Sequence, residues 1–451
     1  MFPRLTLPFL AAFASLGLCV PMDERLQSQP VLPTKDSFYQ VPDNINDYPP
    51  GTIINYRKPP APISAFGVSP VNLKDTWQIL YRTNDNFEKA TATVLTVLVP
   101  HQADYTKVLS YQVAEDAAYA GCAPSYALQF ASATGGPLGT IVTQAELLLI
   151  EGALEQGWVV ISPDHEGPNA AYLANKLAGY ATLDGIRAAI NSANFTGINK
   201  SPTVGMWGYS GGSIASAAAA ELQPSYAPEL RIAGAALGGT VPNITTVINS
   251  INKTPLAGLI PAGMIGLAQQ YPELRAVLDA GILPQYKAKF DAVGKQCFVT
   301  DVLSFLGQDV VAMIKDPTVL NKEPARGILD ENALGKSSPS IPLFVYKSIN
   351  DQVSPIRDTD SLVKSYCSGG TVVEYDRDLV SEHGSLAIIG AGKALSWLID
   401  IMDGRKRASK CSTKNTLSSL LDLKGSAVLS GALIEALLDL LGKPVGPVII
   451  G

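Results

Sequence analysis

Thr203-Val-Gly-Met-Trp-Gly-Tyr-Ser-Gly-Gly-Ser-Ile-Ala-Ser-Ala-Ala-Ala-Ala-Glu-Leu222 is the stretch on which the fold turns. Thr203–Trp207 is a short β-branched and apolar run, the pattern of a buried strand. Ser213–Leu222 is rich in Ala and Ser and predicts a helix. Between them, Gly208-Tyr-Ser-Gly-Gly212 matches the G-x-S-x-G nucleophile elbow. A serine hydroxyl attacks a carbonyl only when a base takes its proton and when it stands clear of the sheet. A sharp strand-to-helix turn gives it that position, and small residues at Gly208 and Gly212 leave room for the turn. The motif alone is weak; its place between a strand and a helix gives it weight.

The same alternation continues on both sides. β-branched runs recur at Thr93–Val99, Val108–Tyr111, Trp158–Ile161, Arg231–Leu237, Ile341–Tyr346 and Thr371–Tyr375. Helix-like stretches at Tyr180–Ser192, Gly211–Leu222 and Leu386–Met402 lie among them. Short apolar strands alternating with helices predict an α/β fold with a mostly parallel central sheet and helices on both faces. With the elbow, this is the α/β-hydrolase fold, its core expected over 76–240 and 341–410. From 241 to 340 the alternation stops, and Leu256–Leu267 is followed by helical patterns without a clear strand. That insertion predicts a helical cap over the carboxyl edge of the sheet, or else a helical subdomain with no part in catalysis. Residues 20–75, rich in Pro, Asn and Asp, predict an arm packed on the domain surface. The tail, 411–451, has apolar residues at Leu417, Leu420, Leu421, Leu423 and from Leu433 to Leu441. It reads as a flap near the site or as a packed terminal helix. Glu435, Asp439 and Lys443 interrupt it and argue against a lipid-anchor signal.

Composition narrows the partners. The chain has 451 residues, 47% of them hydrophobic and 16% charged, enough apolar material for a large core and too much for a disordered protein. A net charge of -6, with no run of Lys and Arg, excludes nucleic acid and anionic membrane surfaces as expected partners. Arg4, the apolar stretch Leu5–Val20 and the small residues Gly17 and Cys19 read as an export signal over 1–19, so a secreted, extracellular product is expected. That stretch is short for a membrane span, and no second candidate follows. Cleavage after Cys19 leaves Cys122, Cys297, Cys367 and Cys411, which suggests two disulfides with three possible pairings. No cysteine pair has zinc-site spacing, and Asp164-His165-Glu166 are adjacent and cannot converge on one ion, so no metal is expected. Sequons at Asn194, Asn199, Asn243 and Asn252 fit a glycosylated secretory product, and a monomer is expected.

A base and an acid must accompany Ser210. The chain has only three histidines, His101, His165 and His383, and the fold orders its triad serine, acid, histidine. His383, in Ser381-Glu-His-Gly-Ser385, alone satisfies that order. His101 reads as a surface loop residue and His165 as part of a site wall. Asp351 is the chosen acid, in Asn350-Asp-Gln-Val-Ser-Pro355 directly after a hydrophobic strand; Asp330, Asp376 and Asp378 compete, and Asp164 breaks the order. Oxyanion stabilisation needs two donors, one of them the N–H of Gly211. The second belongs to the loop after Val108–Gln112, which lacks an HGGG-type sequence. There Glu115 and Asp116 could donate or be solvated charges.

These segments carry a resemblance. Leu80-Tyr-Arg-Thr-Asn84, Ser110-Tyr-Gln-Val113 with Glu115-Asp116, and Cys122-Ala-Pro-Ser-Tyr126 match in order, as do Asp164-His-Glu-Gly167 and Leu183-Asp-Gly-Ile-Arg-Ala188. Gly208–Gly212, Ser225-Tyr-Ala-Pro-Glu-Leu230 and Glu382-His383 complete the set. Together they resemble the fungal secretory lipase family, the Candida antarctica lipase A-like α/β-hydrolases. The resemblance implies the triad Ser210, Asp351 and His383, and an oxyanion hole of Gly211 and a protonated Asp116. It also implies a helical cap, a C-terminal flap and disulfides Cys122–Cys297 and Cys367–Cys411. This chain holds one residue more between Asp116 and Cys122, and its cap and tail match poorly. The expected activity is hydrolysis of carboxylic esters through a Ser-bound acyl-enzyme, with no cofactor. A triacylglycerol lipase acting at a lipid–water interface is the first reading. An esterase that deacetylates a small secreted metabolite is the alternative, and a non-catalytic binding protein is the remote one.

Overall fold

Alternating apolar residues along the strands feed two cores, one on each face of a single sheet. The computed structural model describes residues 29–65, 69–132, 138–405, 408–440 and 442–447, so the export signal expected over 1–19 lies outside the described residues. The strands of this sheet are β1 (Ile53–Arg57), β2 (Asp75–Asn84), β3 (Ala90–Val99), β4 (Asp104–Gln112) and β5 (Trp158–Pro163), then β6 (Thr203–Tyr209), β7 (Ile232–Gly238), β8 (Leu343–Ser348), β9 (Val373–Asp378) and β10 (Ser412–Thr416). Their order across the sheet is β1-β2-β3-β5-β4-β6-β7-β8-β9-β10. From β5 to β10 every neighbouring pair is parallel, while β1, β2 and β3 pair antiparallel.

Successive side chains of a strand point to opposite faces. Val108, Val204, Met206 and Val345 accordingly enter one core, built with helices Asn175–Asn191, Gly211–Tyr226 and Ile356–Ser368. Their neighbours Leu109, Trp207, Phe344 and Tyr346 enter the other, against helices Ile141–Leu154 and Ala391–Met402. Burial on both faces is why these strands read as nearly continuous apolar runs.

Three strands depart from the sequence reading: the inner strand β2, whose mixed Asp75–Asn84 run it did not list, and the two edge strands. Ile53–Arg57, read as part of a surface arm, pairs with β2, and a register shift between Ile53 and Asn55 breaks its alternation. Ser412–Thr416, read as the start of a flap or tail, pairs with β9 as the last strand. It carries no apolar residue because almost nothing covers it. Beyond it, helix Leu423–Leu440 buries Leu429 and Ala436 and leaves Leu423, Ile434 and Leu437 exposed.

Between β7 and β8 the chain leaves the sheet. Helices Ile244–Ile251, Leu259–Leu267, Pro272–Gly281, Pro284–Val293, Phe298–Ser304 and Ala325–Glu331 enclose a core of their own, including Tyr271, Phe290 and Phe305. That core meets the rest of the molecule at Ala118, Tyr172 and Val353. Cys122 is bonded to Cys297, joining the loop after β4 to this helical segment, and Cys367 is bonded to Cys411, joining helix Ile356–Ser368 to the residue before β10. Among the described residues no single helix is long and apolar enough to cross a membrane.

Candidate active site

The carboxyl ends of β4, β6, β8 and β9 converge beneath the helical segment, where ligands of open α/β sheets bind. Ser210 follows β6 directly, with φ 52° and ψ −120°. Such a conformation is strained for a side-chain-bearing residue and persists only when its surroundings enforce it. Its N–H donates to the Gly238 carbonyl at 2.9 Å. A Cβ at Gly208 would overlap the Gly212 backbone, and one at Gly212 would overlap the Gln112 carbonyl. Both glycines are therefore required by close backbone approach.

His383 opens the short helix His383–Ile389 rather than lying in a loop, with Glu382 and Ser385 forming a capping box. Its Nε2 is 2.8 Å from Ser210 Oγ and its Nδ1 is 2.6 Å from Asp351 Oδ2. The Tyr209 hydroxyl donates to the His383 carbonyl at 2.5 Å and fixes the ring's base. Asp351 follows β8, and its Oδ1 accepts from the N–H groups of Val353 and Ser354, each at 2.8 Å. Burial alone would raise Asp351. The His383 hydrogen bond and charge, and then the Lys347 ammonium, outweigh it and hold the carboxyl well below the usual carboxylate range. An ionised Asp351 draws the ring proton to Nδ1, which leaves Nε2 to accept from Ser210. The competing acids are engaged elsewhere: Asp376 pairs with Lys393, Asp378 accepts from Ser381 and Ser419, and Asp330 lies beside Arg326 at the surface.

On the far side of Ser210 is the loop after β4. Asp116 has φ 46°, and its carboxyl lies so close to Gly211 that a Cβ there would overlap Oδ1. That oxygen is buried without a hydrogen-bond partner among the described residues. Burial pushes the Asp116 carboxyl up to about 6, against a lowering by the Tyr172 hydroxyl that bonds to it. Gly211 begins its helix, so its N–H has no intrahelical acceptor.

Behind Asp116 is a buried cluster of Glu115, Asp164, His165 and Glu166. The Glu166 carboxyl lies against the backbone N–H groups of Asp116 and Ala117. Burial raises Glu115, Asp164 and Glu166, and lowers His165 to about 4, keeping its ring neutral. Among the described residues no group of three or more His, Cys, Asp or Glu is placed to hold a metal ion.

The raised acids bind their protons more tightly folded than unfolded. Their contribution to stability is complete below the unfolded value, about 4, and is lost as pH rises through the folded values, about 6 for Asp116. Asp351 and His165 act in the opposite sense. Asp351 loses its contribution only at strongly acidic pH, and His165 as pH falls from about 6.5 to about 4. The four raised acids Glu115, Asp116, Asp164 and Glu166 outweigh them. The melting temperature is therefore expected to fall between about pH 5 and about pH 8. Calorimetry across that window checks this, and a rising melting temperature would contradict it.

Two apolar spaces meet at Ser210 and Asp116. One, a narrow space, runs into the helical segment past Ile244, Ile248, Met264, Leu267 and Leu329. The other is a wider groove of about 2010 Å³, counting open solvent, bounded by Ile141, Leu149, Phe298, Ile388 and Leu433.

The structure thus brings together Ser210, His383, Asp351, Asp116 and Gly211 from four strand ends. His165 lies in the buried cluster, and His101 lies far from it, 3.3 Å from Asn72. Sequence reasoning missed Tyr172, the Glu166 contact and Lys347. Lys347 had a signal, a lysine at the end of an apolar strand four residues before the acid.

Known proteins match this chain over most of its length. The secretory lipase family model matches residues 132–410. The chain belongs to the secretory lipase family. Lipase A of Arthroderma benhamiae is 50% identical over 93% of this chain and 90% of its own length. Lipase 5 of Candida albicans is 40% identical over 87% of this chain and 85% of its own. The X-ray structure of Candida antarctica lipase A matches with a TM-score of 0.81 at 29% identity, covering 94% of this chain and 100% of that one. Membership makes this chain an ester hydrolase on the α/β-hydrolase fold.

Proposed function

We propose that the protein is exported and cleaves long-chain acyl esters, triacylglycerols foremost, through an acyl-enzyme on Ser210. The observation that carries this reading is the Ser210–His383–Asp351 hydrogen-bond chain at the junction of two apolar spaces. Ser210 Oγ attacks the ester carbonyl and passes its proton to His383 Nε2. The oxyanion forms against the Gly211 N–H and the protonated carboxyl of Asp116. Collapse breaks the bond to the alcohol oxygen, which takes the proton from His383. Water then gives a proton to His383 and attacks the acyl carbon, releasing the fatty acid as Ser210 regains its proton.

Residues 241–340 act in this reading as a cap whose apolar cavity receives the acyl chain, and the wide groove receives the alcohol side of the lipid. An export signal over 1–19 directs secretion. Asn194 and Asn199 are exposed and suit glycan attachment, whereas Asn252 donates to Asp309 at 2.8 Å inside the cap and Asn243 caps a helix there.

Hydrolysis of p-nitrophenyl esters of increasing chain length tests the reading. Rates are expected to be higher on long-chain than on acetyl esters, and activity confined to the acetyl ester would sink it. Ile248→Trp, which fills the cap cavity, should lower kcat/KM for long chains by about tenfold or more while sparing acetate, because the chain loses its apolar lining.

A further inference from the structure

Lys347 is a cation sealed inside the molecule. It lies on β8, and its side chain and that of Asp351 are both 0% exposed. Its Nζ is 2.8 Å from Asp351 Oδ2 and donates to the Thr240 carbonyl at 2.8 Å. Oδ2 is also the oxygen that meets His383 Nδ1. One carboxylate oxygen therefore serves two side-chain N–H donors, while the other is held by two backbone N–H groups. A buried ion pair rarely contributes more to stability than apolar residues of the same volume. Stability alone gives little reason for a lysine at this position.

We propose that Lys347 is a positioning residue that sets the acid limit of catalysis, by neutralising part of the Asp351 charge that His383 feels. Protonated His383 is then less favoured, and its ring stays available as a base at lower pH. The inference rests on the Ser210–His383–Asp351 reading. Other ionisable groups near the pair are accounted for. Asp358, from helix Ile356–Ser368, lies close enough to act on Lys347. Asp378, at the end of β9, is tied to the N–H groups of Ser381 and Ser419. Tyr209 and Tyr375 face the pair from β6 and β9 with hydroxyls that burial keeps protonated. Asp116, across Ser210, titrates on the other limb of the profile. None of them touches the shared oxygen.

The test is the pH profile of kcat/KM for p-nitrophenyl butyrate, measured on the secreted protein and two neutral variants. Lys347→Gln keeps a donor and removes the charge; Lys347→Met removes both. Both are expected to remain active on the plateau, with the acid limb raised by about one pH unit, roughly a tenfold loss on the acid side. Acid limbs that coincide with the parent's would overturn the proposal. A Met variant impaired at every pH beside a Gln variant tracking the parent would overturn it too, leaving only a hydrogen-bonding role. Failure of both variants to fold would assign the lysine to stability instead. Ser210→Ala in the same assay separates the two readings: parent-level activity there removes the triad itself, whatever the Lys347 variants do.

Discussion

Ser210→Ala is expected to lower kcat for ester hydrolysis by about 10⁵-fold and to abolish labelling by a fluorophosphonate probe. Ser210 Oγ stands 2.8 Å from His383 Nε2, and the neighbouring hydroxyl of Ser213 donates instead to the Ser210 carbonyl. No second nucleophile therefore replaces it. The elbow is held by Gly208, Gly212 and the bond to the Gly238 carbonyl, none of which involves the serine hydroxyl. Alanine should keep the fold, so an unchanged melting temperature isolates the chemical loss. Persistent labelling of the alanine variant would remove Ser210 from the mechanism.

The second large effect is expected at Asp116. Removing one oxyanion donor costs about 10²- to 10³-fold in kcat, and Asp116→Ala should fall in that range. The pH dependence has a definite sign. Asp116 donates only while protonated, and its carboxyl is pushed up to about 6, so activity should decline as pH rises through that value. Asp116→Asn offers an amide donor that does not titrate. Its absolute rate should lie between those of Asp116→Ala and the parent, with the decline displaced to higher pH. Parallel kcat/KM profiles of the three proteins check this. An alanine variant within about threefold of the parent would take Asp116 out of the oxyanion hole.

Much of the sheet was legible because its inner strands are buried on both faces and read as apolar runs. β1 and β10 were hidden for the opposite reason: at an edge, neither alternation nor apolarity is required. His383 was legible by scarcity and chain order, and Asp351 by its place after β8. The choice between Glu115 and Asp116 was not legible from spacing. The φ of 46° at Asp116 turns its carboxyl toward Gly211, whereas the Glu115 carboxyl lies 3.4 Å from His165. Glu166 lies against that turn from fifty residues away in sequence, and no local pattern records such a contact. Asn252 teaches the same lesson: its sequon is complete, but its amide is already bonded to Asp309.

The Cys122–Cys297 bond has a mechanical consequence. The helical segment joins the sheet through its two chain connections, at 239–243 and 332–342, and this bond adds a third attachment beside the loop that bears Asp116. A body tied at three separated points swings as one piece less freely than a body tied at two. Under the proposed function, access of the ester then depends more on the bore of the passage than on a hinged opening of the helical segment. Throughput should respond to side-chain bulk along that passage, and any tug on the cap would be felt first at the oxyanion side of the serine.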